Sequence, residues 1–400
     1  MLANKGVSRY PKFNQDRSRY PDFVDGKPVV DLDSGKFQKI WHGPQHAGIT
    51  GNMALELILS GDEVYDCKTR VGYLHRGFEK LMERRTFIQN FPVVCRIAVP
   101  EPAFNEYLYA SVIEELSGIK VPELAEWIRT FNLELMRLAS YLMWLGGIAG
   151  SVGHGTIYQW TTTHRDYILD LFEEMTGGRI YHMYMIPGGV RAPLPDGFKG
   201  RTLKVLNLCE NILNDIEKVV LNNVVFKQRT VDLGIITLDM IDQYGVTGPN
   251  ARAAGIKRDI RKDEPYGVYD QLEFEMITHT KSDAYNRTVC RYLEMHQCID
   301  LLRQMLNKMP GSGPFFTELP NVLHWKIPEG ETYTKAECTR GEYGYMAVTD
   351  GSKYLRRIYV RGPSYTHAIA VLEKLAIGTN ISDIPGLAVS LHTYPPEIER

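Results

Sequence analysis

Four hundred residues, 44% hydrophobic and 10% aromatic, read as a folded chain rather than a disordered one, and the length predicts two or three lobes. A formal net charge of −2, with Lys and Arg in no long block, gives no electrostatic case for a nucleic-acid partner. The least polar run, Leu138 to Gly153, carries four glycines and falls short of the roughly 18–20 apolar residues of a membrane span, and the first residues lack the apolar core of a secretory signal. The expectation is a soluble chain whose membrane link comes through partners.

Residues 1–40, rich in Pro, Asp, Gly and Lys, read as an extended arm. A mixed α/β lobe is expected over 41–121. It opens with two strand-like runs, Met53 to Leu59 and Glu63 to Tyr65, around a Ser60-Gly61-Asp62 turn. From Gly77 to Gln89 the alternation turns helical, placing Phe78, Leu81, Met82 and Phe87 inward. A long helix follows Pro122, with Ile128, Phe131, Leu135, Leu138, Leu142 and Leu145 at three- and four-residue steps. A second starts after Thr161–Thr163 and stops at Gly177-Gly178, with Tyr167, Leu171 and Met175 on one stripe. A third covers about Arg201 to Asn223, and a fourth about Asn286 to Lys308, ended by Pro310-Gly311. These define a central antiparallel bundle over 122–310, interrupted by a turn-rich segment at about 224–285. The remainder, 311–400, reads as hairpin and helix, with strands from Thr332 to Val360 around Thr349-Asp350-Gly351-Ser352. The fold class is α+β: a helical bundle flanked by small mixed and β lobes.

Chemistry is hard to locate from residue types alone. The cysteines at 67, 95, 209, 290, 298 and 338 include no CxxC pair, so neither a zinc ribbon nor a local cluster site is indicated. Cys290 and Cys298 stand about two helical turns apart, too far for a bridge, and all six read as buried, reduced thiols. His42, His46, His75 and His164 are placed in loops or at helix starts, where imidazoles act as proton carriers or make structural hydrogen bonds. Pro44 between His42 and His46 prevents an i,i+4 metal pair on one helix face. Glu79 and Glu83, interleaved with Arg76, Lys80, Arg84 and Arg85, make either a solvated ion-paired face or an arginine-bearing helix start that tunes an electron-rich cofactor. No phosphate loop and no nucleophile elbow is present.

Longer strings are more specific. Gly43-Pro44-Gln45-His46, Gly72-Tyr73-Leu74-His75-Arg76-Gly77-Phe78-Glu79-Lys80, Arg84 to Asn90, Pro187-Gly188-Gly189-Val190 and Arg229 to Gly234 follow one another in order. Arg252-Ala253-Ala254-Gly255, Asp259 to Lys262, Arg340-Gly341-Glu342-Tyr343-Gly344 and Val348 to Gly351 continue the series. On these strings the chain is identified as a member of the family that holds the D subunits of complex I and the large subunits of energy-converting hydrogenases. The resemblance implies a Ni-Fe-hydrogenase large-subunit-like fold and a place at the core of an ion-pumping respiratory oxidoreductase. It implies a 4Fe-4S cluster held by a small B-like iron-sulfur partner, a C-like protein, an H-like membrane subunit and antiporter-like membrane subunits. It places the chain peripherally at the cytoplasmic face of a membrane.

The family divides by what fills the old nickel site. Here Arg96-Ile97-Ala98-Val99-Pro100-Glu101 and Ser390 to Glu397 stand where true hydrogenases carry thiolate pairs, and Tyr394 and Glu397 replace the second pair. No metal site is expected in this chain. Quinone-reducing relatives use the second histidine of a GPQHPxxHG string, which aligns with Thr50, and a tyrosine, which aligns with Val99. Their supporting carboxylate aligns with Ser151, the histidine before the PGG turn with Tyr181 (His182 is adjacent), and the arginine before that turn with Ile186. Each lost group donates hydrogen bonds or protons. The resemblance therefore implies a non-quinone acceptor such as sulfane sulfur, reduced beside the partner's cluster. His75, Arg76 and His182 would face that cluster with Glu79 supporting the arginine. Thr50, Ala98, Val99, Ser151 and Ile186 would line the acceptor cleft. The alternatives are a rebuilt quinone pocket using Tyr73 or His46 as catalytic groups, and a non-catalytic coupling role.

Overall fold

The computed structural model describes residues 35–46 and 52–400 continuously, with Leu32 and two short antiparallel strands, β1 (Phe23–Val24) and β2 (Lys27–Pro28), ahead of them. Most of the arm expected over 1–40, and Thr50, lie outside the described residues.

An antiparallel sheet in the order β3-β4-β5 is built from Gln38–His42, Ala54–Ser60 and Glu63–Arg70. The expected hairpin is present, with Gly61 in the left-handed region (φ 61°). Its second strand runs on to Arg70 instead of stopping at Tyr65. Glu56 on β4 accepts ion contacts from Arg70 (2.9 Å) and Lys39 (2.7 Å), so charged residues continue the pairing where the apolar signal ends. The buried face, Leu55, Leu57, Leu59, Val64 and Cys67, forms one core with Val371, Leu372, Leu387 and Leu391 from the far end of the chain.

Helix α1 (Phe78–Arg84) is shorter than the expected Gly77–Gln89. Gly77, left-handed at φ 63°, opens it, and extended Arg85 ends it. Phe78 and Met82 are buried as expected, Leu81 is half-buried, and Phe87 reaches the core from beyond the helix. After α2 (Phe91–Val94) comes α3 (Pro102–Ser117), which the sequence periodicity did not reveal. It is buried on nearly every side, including Glu106 and Glu114, so no polar stripe marks it.

Helix α4 (Glu123–Ser151) buries the six expected apolar residues and packs on α5 (Gly155–Thr176), α11 (Ala284–Lys308) and α3. Helix α6 (Phe198–Ile216) touches both α5 and α11. Three corrections concern α5. It begins before the threonine run, because the Thr162 and Thr163 hydroxyls bond back to the carbonyls of Tyr158 and Gln159 within the helix. Its inward stripe is Ile168, Leu171, Phe172 and Met175, while Tyr167 is exposed; His164 lies inside the helix, not at its start. The two-residue strands β6 (Met185–Ile186) and β7 (Gly189–Val190) flank the PGG turn. Beyond α6, a wide turn at Glu217–Leu221 leads into four short helices: α7 (Val224–Thr230), α8 (Leu238–Tyr244), α9 (Pro249–Arg252) and α10 (Ile260–Asp263). Pro310 and Gly311 end α11 as expected.

A second sheet, in the order β10-β9-β8, uses Gly330–Cys338, Gly341–Thr349 and Leu355–Arg361 and packs on α3. Its β8–β9 turn is Thr339-Arg340. Gly248 and Gly341, both at positive φ, let two backbones meet there: a Cβ on Gly248 would lie 2.4 Å from Gly341 Cα. The chain closes with α12 (Leu372–Ala376), α13 (Ile384–Ser390) and α14 (Pro395–Ile398). The α+β class holds, as a helical core flanked by small antiparallel sheets.

Candidate functional site

Four chain segments meet on one face. His75 bonds through Nδ1 to the Glu399 carbonyl at 2.6 Å, and the Leu74 N–H donates to the Glu399 carboxylate at 2.5 Å. Arg76 donates to the Arg96 carbonyl (3.0 Å) and lies over the Phe78 ring at 4.1 Å. Its pKa is lowered by burial, with Tyr181 and Glu399 opposing. Arg96 donates to the Pro92 carbonyl at 2.5 Å and covers the Tyr181 ring at 4.5 Å. The face is thus rimmed by two guanidiniums whose hydrogen bonds go to carbonyls and, for Arg96, also to the Cys95 sulfur at 3.2 Å.

Buried glutamates on α3 hold the loop behind it. Glu106 accepts the N–H groups of Met183 (2.6 Å), Tyr184 (2.9 Å) and Met185 (3.3 Å). Burial pushes its pKa up to about 7 against those donors. Glu114 accepts the Gly188 N–H at 2.7 Å and pairs with Arg129, which reaches the Ile186 carbonyl at 2.6 Å. The PGG turn is therefore fixed by an ion pair within the core.

Beneath the face, the Arg96–Glu101 and Ser390–Glu397 segments are joined by one cation. Arg340 is fully buried, with Nη1 2.9 Å from Glu101 Oε2 and Nη2 2.5 Å from Glu397 Oε2. Its guanidinium lies 4.3 Å from the Tyr394 ring centroid. Glu397 also accepts the Ser364 N–H (2.7 Å), and Glu101 accepts hydroxyls from Ser140 (3.1 Å) and Thr339. Tyr394 Oη is 2.9 Å from His392 Nε2 and 3.4 Å from Ser140 Oγ. His392 titrates far below the usual histidine range, through burial and then the nearby Arg291 and Arg340.

The predicted site residues are not all gathered. Ala98 is buried and Val99 half-buried in the Arg96–Glu101 segment, and Ile186 is half-buried beside Arg129. Ser151, at the end of α4, donates to the Ile148 carbonyl, about three turns beyond Ser140. Glu79 does not bond Arg76; it takes Arg357 (3.0 Å), Arg400 (2.9 Å) and the Val360 N–H (3.0 Å). Tyr181, not His182, stacks on the arginine rim. His182 is 1% exposed, packs on Phe172 at 4.4 Å, and is lowered to about 4 by burial. Tyr73 is exposed, and His46 is exposed and stacked on His42 at 4.2 Å. Arg340 carries no role in the sequence reading although it lies in one of the family strings; its role follows only from the β8–β9 turn reaching the core. Among the described residues no three His, Cys, Asp or Glu side chains form a metal-ligand group, and no helix is long and apolar enough to cross a membrane.

Residues 151–325 and 321–400 match the family described as respiratory-chain NADH dehydrogenase, 49 Kd subunit. The chain is 41% identical over 364 residues to the D subunit of NADH-quinone oxidoreductase from Thermosipho melanesiensis, covering 90% of this chain and 99% of the relative. It is 37% identical over 362 residues to the D subunit of F(420)H(2) dehydrogenase from Methanosarcina mazei, covering 90% and 96%. A chain of the membrane-bound sulfane sulfur reductase, an archaeal respiratory membrane complex, superimposes with a TM-score of 0.89 at 36% identity, covering 93% of this chain and all of that one. The class is a component of a membrane-bound respiratory oxidoreductase complex. Within it, the chain belongs to the 49 kDa subunit family, as a D-type core component related to those of complex I and the archaeal sulfane sulfur reductase.

Proposed function

We propose that this chain passes electrons from a 4Fe-4S cluster in a small B-like partner to a sulfane-sulfur-type acceptor, with no Ni-Fe centre. The observation that carries the reading is the Arg340 guanidinium held between Glu101 and Glu397, where hydrogenases place sulfur ligands. Carboxylates engaged by a buried arginine are hard, occupied donors, whereas Ni-Fe needs four soft thiolates. Cys338 is within electrostatic reach of this region, but burial raises its thiol, and one cysteine cannot supply four ligands. The donor set does not fit the metal.

On this reading the Arg76–Arg96 rim faces the partner's cluster, and Ala98, Val99 and Ile186 line the approach of the acceptor. The chain sits peripherally on the cytoplasmic side, docked to C-like and H-like partners of an ion-pumping membrane arm. A quinone reading rests on Tyr73, which is 47% exposed beside His75. The deciding experiment is reoxidation of the reduced complex in native membranes with a short-chain quinone and with polysulfide in parallel. Turnover with polysulfide alone is expected. Turnover with quinone alone would overturn the proposal and make Tyr73 and His46 the residues to mutate.

A further inference from the structure

The buried and half-buried arginines of the described chain fall into two groups by what they hold, and one residue belongs to neither. Arg340 and Arg252 are clamped by carboxylates, Arg252 by Glu294 (2.8 Å) and Glu337 (2.7 Å). Arg287 and Arg291 donate to carbonyls, to the Ser390 hydroxyl and to the Asn250 amide. Arg165, half-buried on α5, donates to no described residue, and no described carboxylate lies within ion-pair distance of it. Its Nε is sealed from solvent without a partner. Burial lowers its pKa, with Tyr394 and Tyr158 opposing.

The hairpin of α4 and α5 fixes where this guanidinium stands. Gly146 of α4 seats so closely on α5 that a Cβ there would lie 2.3 Å from Thr161 Oγ1 and 3.0 Å from Tyr158 Cα. A short link, residues 152–154, joins the two helices, so they run antiparallel and a step back along α4 matches a step forward along α5. Six residues back from Gly146 is Ser140, and the same step forward from Tyr158 and Thr161 reaches the turn of α5 that holds Arg165. The Ser140 hydroxyl bonds Glu101 (3.1 Å), the last residue of the Arg96–Glu101 segment, and lies 3.4 Å from Tyr394 Oη. Arg165 therefore stands level with Tyr394, on which it acts electrostatically. The turn that carries Tyr394 has unused polar atoms of its own. His392 Nδ1 and Thr393 Oγ1 are buried without a partner, and His392 takes φ 56°, a left-handed conformation that is costly for a residue other than glycine.

A cation with spare donors at this level suits a charged substrate. Inorganic polysulfide is a dianion, and moving its charge out of water is costly unless a cation meets it. Arg340 is occupied by Glu101 and Glu397, and Arg76 and Arg96 give their hydrogen bonds to carbonyls and a sulfur, which leaves Arg165. A guanidinium is weakly hydrated and presents several donors in one plane, a better match than an ammonium to a large, diffuse sulfur anion. We propose that Arg165 binds the charged end of the polysulfide chain beside Tyr394 and so selects an anionic acceptor over a neutral one. The proposal rests on the reading of the site as a sulfane-sulfur reductase.

The test uses the intact complex in native membranes, with Arg165→Met and Arg165→Lys, and two acceptors that differ in charge: inorganic polysulfide and the neutral diethyl trisulfide. Arg165→Met is expected to raise KM for polysulfide by roughly 10- to 100-fold, the effect of losing a charge-assisted hydrogen bond. KM for the trisulfide and donor-driven reduction of the cluster should stay at wild-type values, and Arg165→Lys should fall between. An unchanged KM for polysulfide in Arg165→Met, or an equal rise for both acceptors, would overturn the proposal and leave the reductase reading in place. Loss of a subunit from either variant complex would assign the guanidinium to a partner's carboxylate and overturn it as well. A wild-type complex that reduces neither sulfur compound would remove the reductase reading itself, and the proposal with it.

Discussion

The arginines of the face and those of the floor solve different problems. Arg76 and Arg96 give their hydrogen bonds to carbonyls and a sulfur and lie over aromatic rings, with Glu399 within electrostatic reach of Arg76. Arg340 and Arg252 are enclosed by carboxylates and fully buried. A cation left without a close carboxylate projects its field outward, toward a neighbouring redox centre. A cation clamped by two carboxylates projects little and instead fixes geometry. The face is built for electrostatics and the floor for position.

The sharpest way to break that comparison is at the floor. Arg340→Met leaves Glu101 and Glu397 facing each other unpaired, and a loss of about 3–5 kcal/mol in chemical denaturation is expected. Adding Glu101→Gln and Glu397→Gln should restore most of it; no restoration would mean that Arg340 acts through packing rather than charge.

Next in size is the loop between face and floor, where two buried groups titrate in opposite senses. Glu106 rises from 4.5 to about 7, so the folded state binds the extra proton and stability falls as pH rises through that window. His182 falls from 6.5 to about 4, so stability falls as pH drops through its window. Each is worth roughly 3 kcal/mol, and between them they flatten the pH dependence. Glu106→Gln should expose a loss of stability toward acid, and His182→Leu a loss toward neutral pH, in denaturation between about pH 4 and 7. Parallel curves for the two variants would contradict the assignment.

The smallest effects belong to the surface. On the proposed reading, Arg76→Met should lower the potential of the partner's cluster modestly in a redox titration, because a nearby positive charge favours the reduced form. Glu79→Gln, which breaks a partly exposed cluster with Arg357 and Arg400, should cost about 1 kcal/mol or less and leave that potential unmoved. A shift with Glu79→Gln and none with Arg76→Met would reverse the roles of the two.

The legible parts of the fold were those whose signals are local. Gly61 and Asp350-Gly351 announced their turns, and α4 and α11 showed helical spacing with recognisable ends. Helix α3 was hidden because burial on all sides removes the polar stripe that periodicity needs. Of the site, the arginine rim was legible as part of a longer string. The pairing of Glu101, Arg340 and Glu397 was not, because it joins residues 101, 340 and 397 across three elements. Nothing near Glu79 in sequence shows that its partners are Arg357 and Arg400, or that Tyr181 and His182 turn to opposite sides.

The contact between Gly248 and Gly341 leaves no slack between the loop of residues 245–248 and the turn that carries Arg340. A methyl group at either glycine would force the two backbones apart, so the turn that carries Arg340 keeps its seat only while both positions stay bare.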